Sequence, residues 1–116
     1  IFQFQKDHRD NQILMVQEWI ENNFDQAFNY DKLARNHGMS RRTFERRFKT
    51  ATGDTPLIYQ QRLRVEAAKH LLEDGNQSFD EITYQVGYED SSSFRKVFLK
   101  QTGLRPTEYQ KKFQRV

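Results

Sequence analysis

The chain of 116 residues has no cysteine, only two prolines and five glycines, and no long apolar run. Without thiols there is no disulfide, no thiolate metal site and no cysteine nucleophile, and the composition suits a reducing cytosol. No stretch approaches the ~18 apolar residues of a membrane span. No signal peptide is visible, and because the first residue is Ile1 rather than Met the expectation is a fragment of a longer protein. Charge of one sign is also scarce: 19 Lys and Arg against 16 Asp and Glu leave a net +3. So small an excess points to a partner only where the cations cluster. Apolar residues make up just 35%, but aromatics reach 14%, and ten Phe, five Tyr and one Trp can fill a small core with few residues. The length fits one domain, or two very small subdomains that share a helix.

The chain repeats itself. "NYDKLARNHGMS" (Asn29–Ser40) and "SFDEITYQVGYEDS" (Ser78–Ser91) align at an offset of 49, matching Asp31 with Asp80, Leu33 with Ile82 and Gly38 with Gly87. After the glycine the second copy has one extra residue. At an offset of 50, Phe44 then meets Phe94, Phe48 meets Phe98, Thr52-Gly53 meets Thr102-Gly103, Pro56 meets Pro106 and Tyr59-Gln60 meets Tyr109-Gln110. So many matches in one order mark an internal duplication.

Each copy reads as two short helices around a tight turn. Asn29 and Ser78 are good N-caps, and Ser78 with Glu81 spells a capping box. Gly38 and Gly87 suit the left-handed residue that ends the first helix. The second helix starts near Ser40 or Asp90 and ends at Gly53 or Gly103. Its apolar face is Phe44/Phe48, or Phe94/Val97/Phe98. Between the copies, "TPLIYQQRLRVEAAKHLLEDG" opens at Thr55-Pro56, stops at Gly75, and is apolar on more than one side. Ahead of the first copy, Ile13, Val16, Ile20 and Phe24 share a helical face with Trp19 at its edge. Residues 1–9 lack periodicity and read as a linker or arm. The expectation is an all-α chain of seven helices. Residues 10–54 form a first helix-turn-helix subdomain, 55–75 a linker helix, and 76–116 a second subdomain.

"SRRTFERRFKTATG" (Ser40–Gly53) holds five cations, Arg41, Arg42, Arg46, Arg47 and Lys49, around two phenylalanines. Burying Phe44 and Phe48 forces Arg42, Glu45, Arg46 and Lys49 onto another face, with Arg41 beside them in the first turn. Guanidinium groups held in this way suit guanine O6/N7 and phosphate. Glu45 can accept from cytosine N4, or it can orient Arg41, Arg42 or Lys49. The bland alternative is a solvated charged face. Arg47 aligns with Val97, so its stem belongs on the core and its head near the backbone, in a structural or phosphate-binding role. The second copy offers Ser91, Ser92, Arg95 and Lys96. Its serines and free amides suit a phosphate, or are ordinary capping. With fewer cations, and with Glu89 and Asp90 at its threshold, it should contribute less affinity.

Rival functions find little here. His8, His37 and His70 are scattered, and none has a second ligand at metal spacing. Acidic pairs such as Asp80/Glu81 sit in first helical turns, where the helix dipole accounts for them. No catalytic residue, metal or cofactor is indicated. A protein-interaction module would show an exposed apolar stripe, whereas the outward faces here are cationic or hydroxylated.

At these residues the sequence resembles the C-terminal DNA-binding domain of AraC/XylS-family transcriptional regulators. The resemblance runs from Asn11 to Phe113 and is strongest in "EITYQVGYEDSSSFRKVFLKQTGLRPTEYQ", with "LARNHGMSRRTFERRFKTATGDTP" and "RLRVEAAKHLL" matching the first unit and the linker. It implies seven helices and two recognition helices reading successive major grooves of double-stranded DNA. It puts base-reading positions at Arg41, Arg42, Glu45 and Arg46, and at Ser91, Ser92, Arg95 and Lys96. The second set departs from the family's glutamine- or asparagine-bearing versions. A cytoplasmic, nucleoid-associated regulator is implied, with RNA polymerase as a partner and a missing N-terminal effector or dimerisation domain. "HRDNQILMVQEWIENNFDQAFNYDKLA", through "VQEWI" and its flanks, looks like members whose partner domain resembles class I glutamine amidotransferases. Relatives that repair with a reactive cysteine are excluded by its absence.

Overall fold

The structure is a computed structural model that describes residues 6–115. It contains seven helices: α1 (Asn11–Asn23), α2 (Tyr30–Asn36), α3 (Arg41–Thr52), α4 (Pro56–Asp74), α5 (Phe79–Gln85), α6 (Ser91–Thr102) and α7 (Pro106–Phe113). No strand occurs among the described residues. The arm expected over residues 1–9 lies partly outside them, as does the last residue of the second subdomain.

Local chemistry sets the helix ends. Asn29 accepts from the Lys32 amide and Ser40 from the Thr43 amide, at 3.1 and 3.2 Å. Ser78 and Glu81 form the reciprocal capping box, which also holds the Glu81 carboxyl below its usual pKa through the hydrogen bond from the Ser78 amide. The Thr55 hydroxyl accepts from the Ile58 amide at 3.2 Å, and Pro56 follows it as the first residue of α4. α4 has 19 residues, so it is roughly 28 Å long.

Packing divides the chain into two units. Among the described residues, one comprises 6–23 with Ala27–Gln60; the other comprises Phe24–Gln26 with 61–115. In the first, Ile13, Val16 and Ile20 of α1 are fully buried, as are Phe44 and Phe48 of α3. The rings meet edge to face, Phe44 to Phe48 at 5.6 Å and Phe48 to Tyr59 at 5.2 Å. The Tyr59 hydroxyl donates to Glu21 Oε2 at 2.9 Å and accepts from the buried Gln17 amide at 3.2 Å. Gln17 Oε1 in turn lies 2.7 Å from His8 Nε2.

The second unit is built on the same plan. Val65, Ala68 and Leu72 of α4 pack with Ile82, Val86, Phe94, Phe98 and Tyr109. Phe94 meets Phe98 at 6.3 Å, Phe98 meets Tyr109 at 5.6 Å, and the Tyr109 hydroxyl donates to Glu73 Oε2 at 2.6 Å. The helix ahead of each pair thus supplies a glutamate to the closing tyrosine. Thr52 and Thr102 also match: each hydroxyl donates to a phenylalanine carbonyl four residues back, at 2.8 Å in both.

One expectation needs correction. Phe24 does not extend the apolar face of α1, which ends at Asn23. Arg64 donates from Nε to the Phe24 carbonyl at 2.7 Å, which ties the segment to α4. This approach makes two equivalent glycines unlike. Both have positive φ, 74° at Gly38 and 101° at Gly87. A Cβ at Gly38 would meet only Gln12 Nε2, at 3.6 Å, but at Gly87 it would stand 2.7 Å from the Asp25 carbonyl oxygen.

Candidate nucleic-acid interface

α3 is anchored by Phe44 and Phe48, so its opposite side faces solvent. Arg42, Glu45, Arg46 and Lys49 are all exposed there. Arg42, Arg46 and Lys49 have no side-chain hydrogen bond or ion pair among the described residues. Arg41 is held differently. Its Nε donates to Glu45 Oε1 at 2.8 Å, its Nη1 lies 3.7 Å from Asp31, and its guanidinium sits 5.4 Å from the Tyr30 ring centroid. Of the two roles open to Glu45, the structure shows the orienting one, with Arg41 as the group oriented. Three of the five cations are therefore left free to meet a ligand.

Arg47 is a clamp. Its Nη2 and Nε fork onto the two oxygens of Asp10 at 2.6 and 3.0 Å, and Nη1 donates to Gln12 Oε1 at 2.8 Å. The head thus engages side chains, which is the structural one of the two roles expected for it. Hydrogen bonding from Arg47 holds the Asp10 carboxyl below its usual pKa. Asp10 also accepts from the Ile13 amide, so one carboxylate caps α1 and fixes it to α3. Beside this clamp lies an open groove of about 830 Å³ whose lining includes Arg9 and Arg46. Arg9 is exposed. No helical period embraces it, so the sequence pattern does not mark it as part of this surface.

On α6, Ser92, Arg95 and Lys96 are exposed and Ser91 is half-buried. Arg95 lies over the Phe79 ring, 5.1 Å from its centroid, which fixes the guanidinium against its own unit. Asp90 occupies the helix start. It accepts from the Ser92 and Ser93 amides at 3.1 and 3.2 Å and from the Ser93 hydroxyl at 2.7 Å. These bonds, led by that from the Ser93 side chain, keep the Asp90 carboxyl below its usual pKa. The amides are therefore taken, and a phosphate held by free amides at this end is not what the geometry offers. The Ser91 and Ser92 hydroxyls have no partner among the described residues. Ser92, Arg95 and Lys96 line a shallow concavity with two residues that the sequence reading passes over, Leu99 and Arg105. Leu99 follows Ser92 by seven residues on one helical face, a signal present in the sequence. Arg105 belongs to the α7 cap, outside the period of α6.

Among the described residues no group of three or more His, Cys, Asp or Glu could hold a metal ion. No helix among them is long and apolar enough to cross a membrane.

Known proteins resemble this chain in sequence and fold. The helix-turn-helix domain family matches residues 33–112. The transcriptional activator RhaS of Escherichia coli is 36% identical over 90 residues, 78% of this chain and 32% of RhaS, so the chain spans about a third of the curated relatives' length. The DNA-binding domain of AdpA, a global transcriptional factor solved with a target DNA, is 33% identical, with a TM-score of 0.81 over 90% of this chain and 94% of that one. A transcriptional regulator from Chromobacterium violaceum, described as having an AraC-type DNA-binding domain, is 26% identical, with a TM-score of 0.79 over 87% of this chain and 90% of that one. By motif, repeat and fold, the chain belongs to the helix-turn-helix domain family, in its AraC/XylS type.

Proposed function

We propose that this chain binds double-stranded DNA sequence-specifically, as the DNA-binding part of a bacterial transcriptional regulator. The observation that carries this reading is the exposed Arg42/Arg46/Lys49 face of a helix anchored by two fully buried phenylalanines. Such a helix suits the major groove, where arginine pairs with guanine O6/N7. Arg41, oriented by Glu45, and Ser91, Ser92, Arg95 and Lys96 complete the contact set. The two faces differ, so a single chain reads two successive major grooves of an asymmetric site, with the second unit contributing less affinity. AdpA, which has a target DNA, supports the reading as a relative.

The whole protein is a cytoplasmic regulator, and the greater length of RhaS supports a further effector or dimerisation domain N-terminal to this one. The stretch around "VQEWI" favours the type that resembles class I glutamine amidotransferases, and RNA polymerase is the second partner.

Selection of random-sequence duplexes by the chain, followed by footprinting of the winner, tests the reading. The expected result is one asymmetric site of about two helical turns, bound by one chain. Failure to enrich any sequence, or a symmetric footprint occupied by two chains, overturns it.

A further inference from the structure

Leu99 is an apolar side chain in a cationic setting. It is 43% exposed, although the core beneath it is already closed by the fully buried Phe94 and Phe98. It stands one turn beyond Arg95 and Lys96 and two turns beyond Ser92, and with Arg105 these residues line one concavity of about 290 Å³. At the offset of 50 its counterpart is Lys49, so the first copy has a cation where the second has a leucine. A face that only attracted phosphate would gain from lysine and lose from leucine at this place. An exposed leucine inside a basic rim suits a ligand that is anionic at its edge and apolar at one point. In the major groove of DNA that point is the 5-methyl group of thymine, the one apolar group a base edge presents there.

We propose that Leu99 is a specificity-determining residue that packs on a thymine methyl group, while Lys96 and Arg105 meet the flanking phosphates. The inference rests on the DNA-binding reading above and deepens it. Leu99 then reads a base edge without a hydrogen bond.

The test uses the duplex selected by the chain. Each thymine is replaced in turn by deoxyuridine, which removes the methyl group alone, and Kd is measured by fluorescence anisotropy. One position should weaken about fourfold, the worth of one buried methyl group. Leu99→Ala should bring that thymine-to-uracil ratio close to one, with circular dichroism confirming an intact fold. Leu99→Lys, which restores the residue type of the first copy, should also erase the ratio while steepening the salt dependence. The proposal is overturned if no position shows a methyl effect, or if the effect survives in Leu99→Ala. A chain that selects no sequence at all overturns the DNA-binding reading as well. A chain that selects a site but shows no methyl effect dependent on residue 99 overturns this inference alone.

Discussion

The two units share a core and differ on their faces. Phe44, Phe48 and Tyr59 form a ladder of edge-to-face rings, and Phe94, Phe98 and Tyr109 repeat it. Outward, α3 carries Arg42, Arg46 and Lys49 unengaged, whereas α6 carries hydroxyls, Arg95 and Lys96, and an exposed leucine where α3 has Lys49. The clamps differ too: Arg47 forks onto Asp10, while Val97 at its equivalent place is half-buried without a polar bond to make. A core built from rings fixes helix positions tightly, because large side chains leave few alternative packings. The surface above that core can then change chemistry without moving the helices.

The sharpest way to break the parallel is to truncate the shared ladder. Phe48→Ala and Phe98→Ala should each cost about 3–5 kcal/mol, since each deletes a fully buried ring. Circular dichroism melts without DNA should show both losses; unchanged melting with lost binding would move these rings into the interface.

The turn glycines should separate the units next. Gly38→Ala bears mainly the left-handed strain of about 1–2 kcal/mol. Gly87→Ala also drives a Cβ against the Asp25 carbonyl, so urea denaturation should show it worse by about 1–3 kcal/mol.

Binding should diverge in the same way. Arg42→Ala or Arg46→Ala should cost about 1–3 kcal/mol and relax specificity at one or two base pairs of the selected site. Arg95→Ala and Lys96→Ala should cost less. Titrations against selected and scrambled duplexes decide it; equal losses on both duplexes for Arg42 and Arg46 would reduce them to phosphate contacts.

The smallest effect concerns the clamp. Arg47→Met should destabilise the fold less than the phenylalanine and glycine substitutions at neutral pH, because it leaves a half-buried carboxylate without its charge partner. Asp10 has a lowered pKa in the fold, so its contribution is complete above the ordinary Asp value of about 3.9 and is lost as pH falls through the folded value. The variant should therefore lose less stability than the parent between pH 5 and pH 3, in urea titrations at both, a window set by the same Asp value of about 3.9.

Most of the fold is legible in the sequence because its signals are local. Asn29, Ser40, Ser78 and Asp90 sit within three residues of the amides they cap, and Gly53 and Gly103 end their helices with left-handed φ of 84° and 77°. The outward setting of Arg42, Arg46 and Lys49 follows from their spacing against Phe44 and Phe48. What escapes the sequence is distant pairing. Arg47 finds Asp10 across 37 positions, and Arg64 finds Phe24 across 40. Arg41 is engaged by Tyr30 and Asp31 of the preceding helix, a contact set by how α2 packs against α3. The occupied amides at α6 were within reach of local reasoning, since an aspartate at an N-cap serves its own helix before any ligand.

The two ladder tyrosines give the molecule an optical property. Burial, with the neighbouring carboxylates of Glu21 and Glu73, pushes both phenols well above their ordinary pKa. Above the free-phenol value of about 10, the unfolded chain releases protons that the folded chain retains, so alkali favours opening. The first unit carries Tyr59 and the second Tyr109, beside which burial also raises the Tyr88 phenol. After a jump to high pH, slow phenolate absorbance from these rings would time the opening of the two cores, in protein bearing no added label.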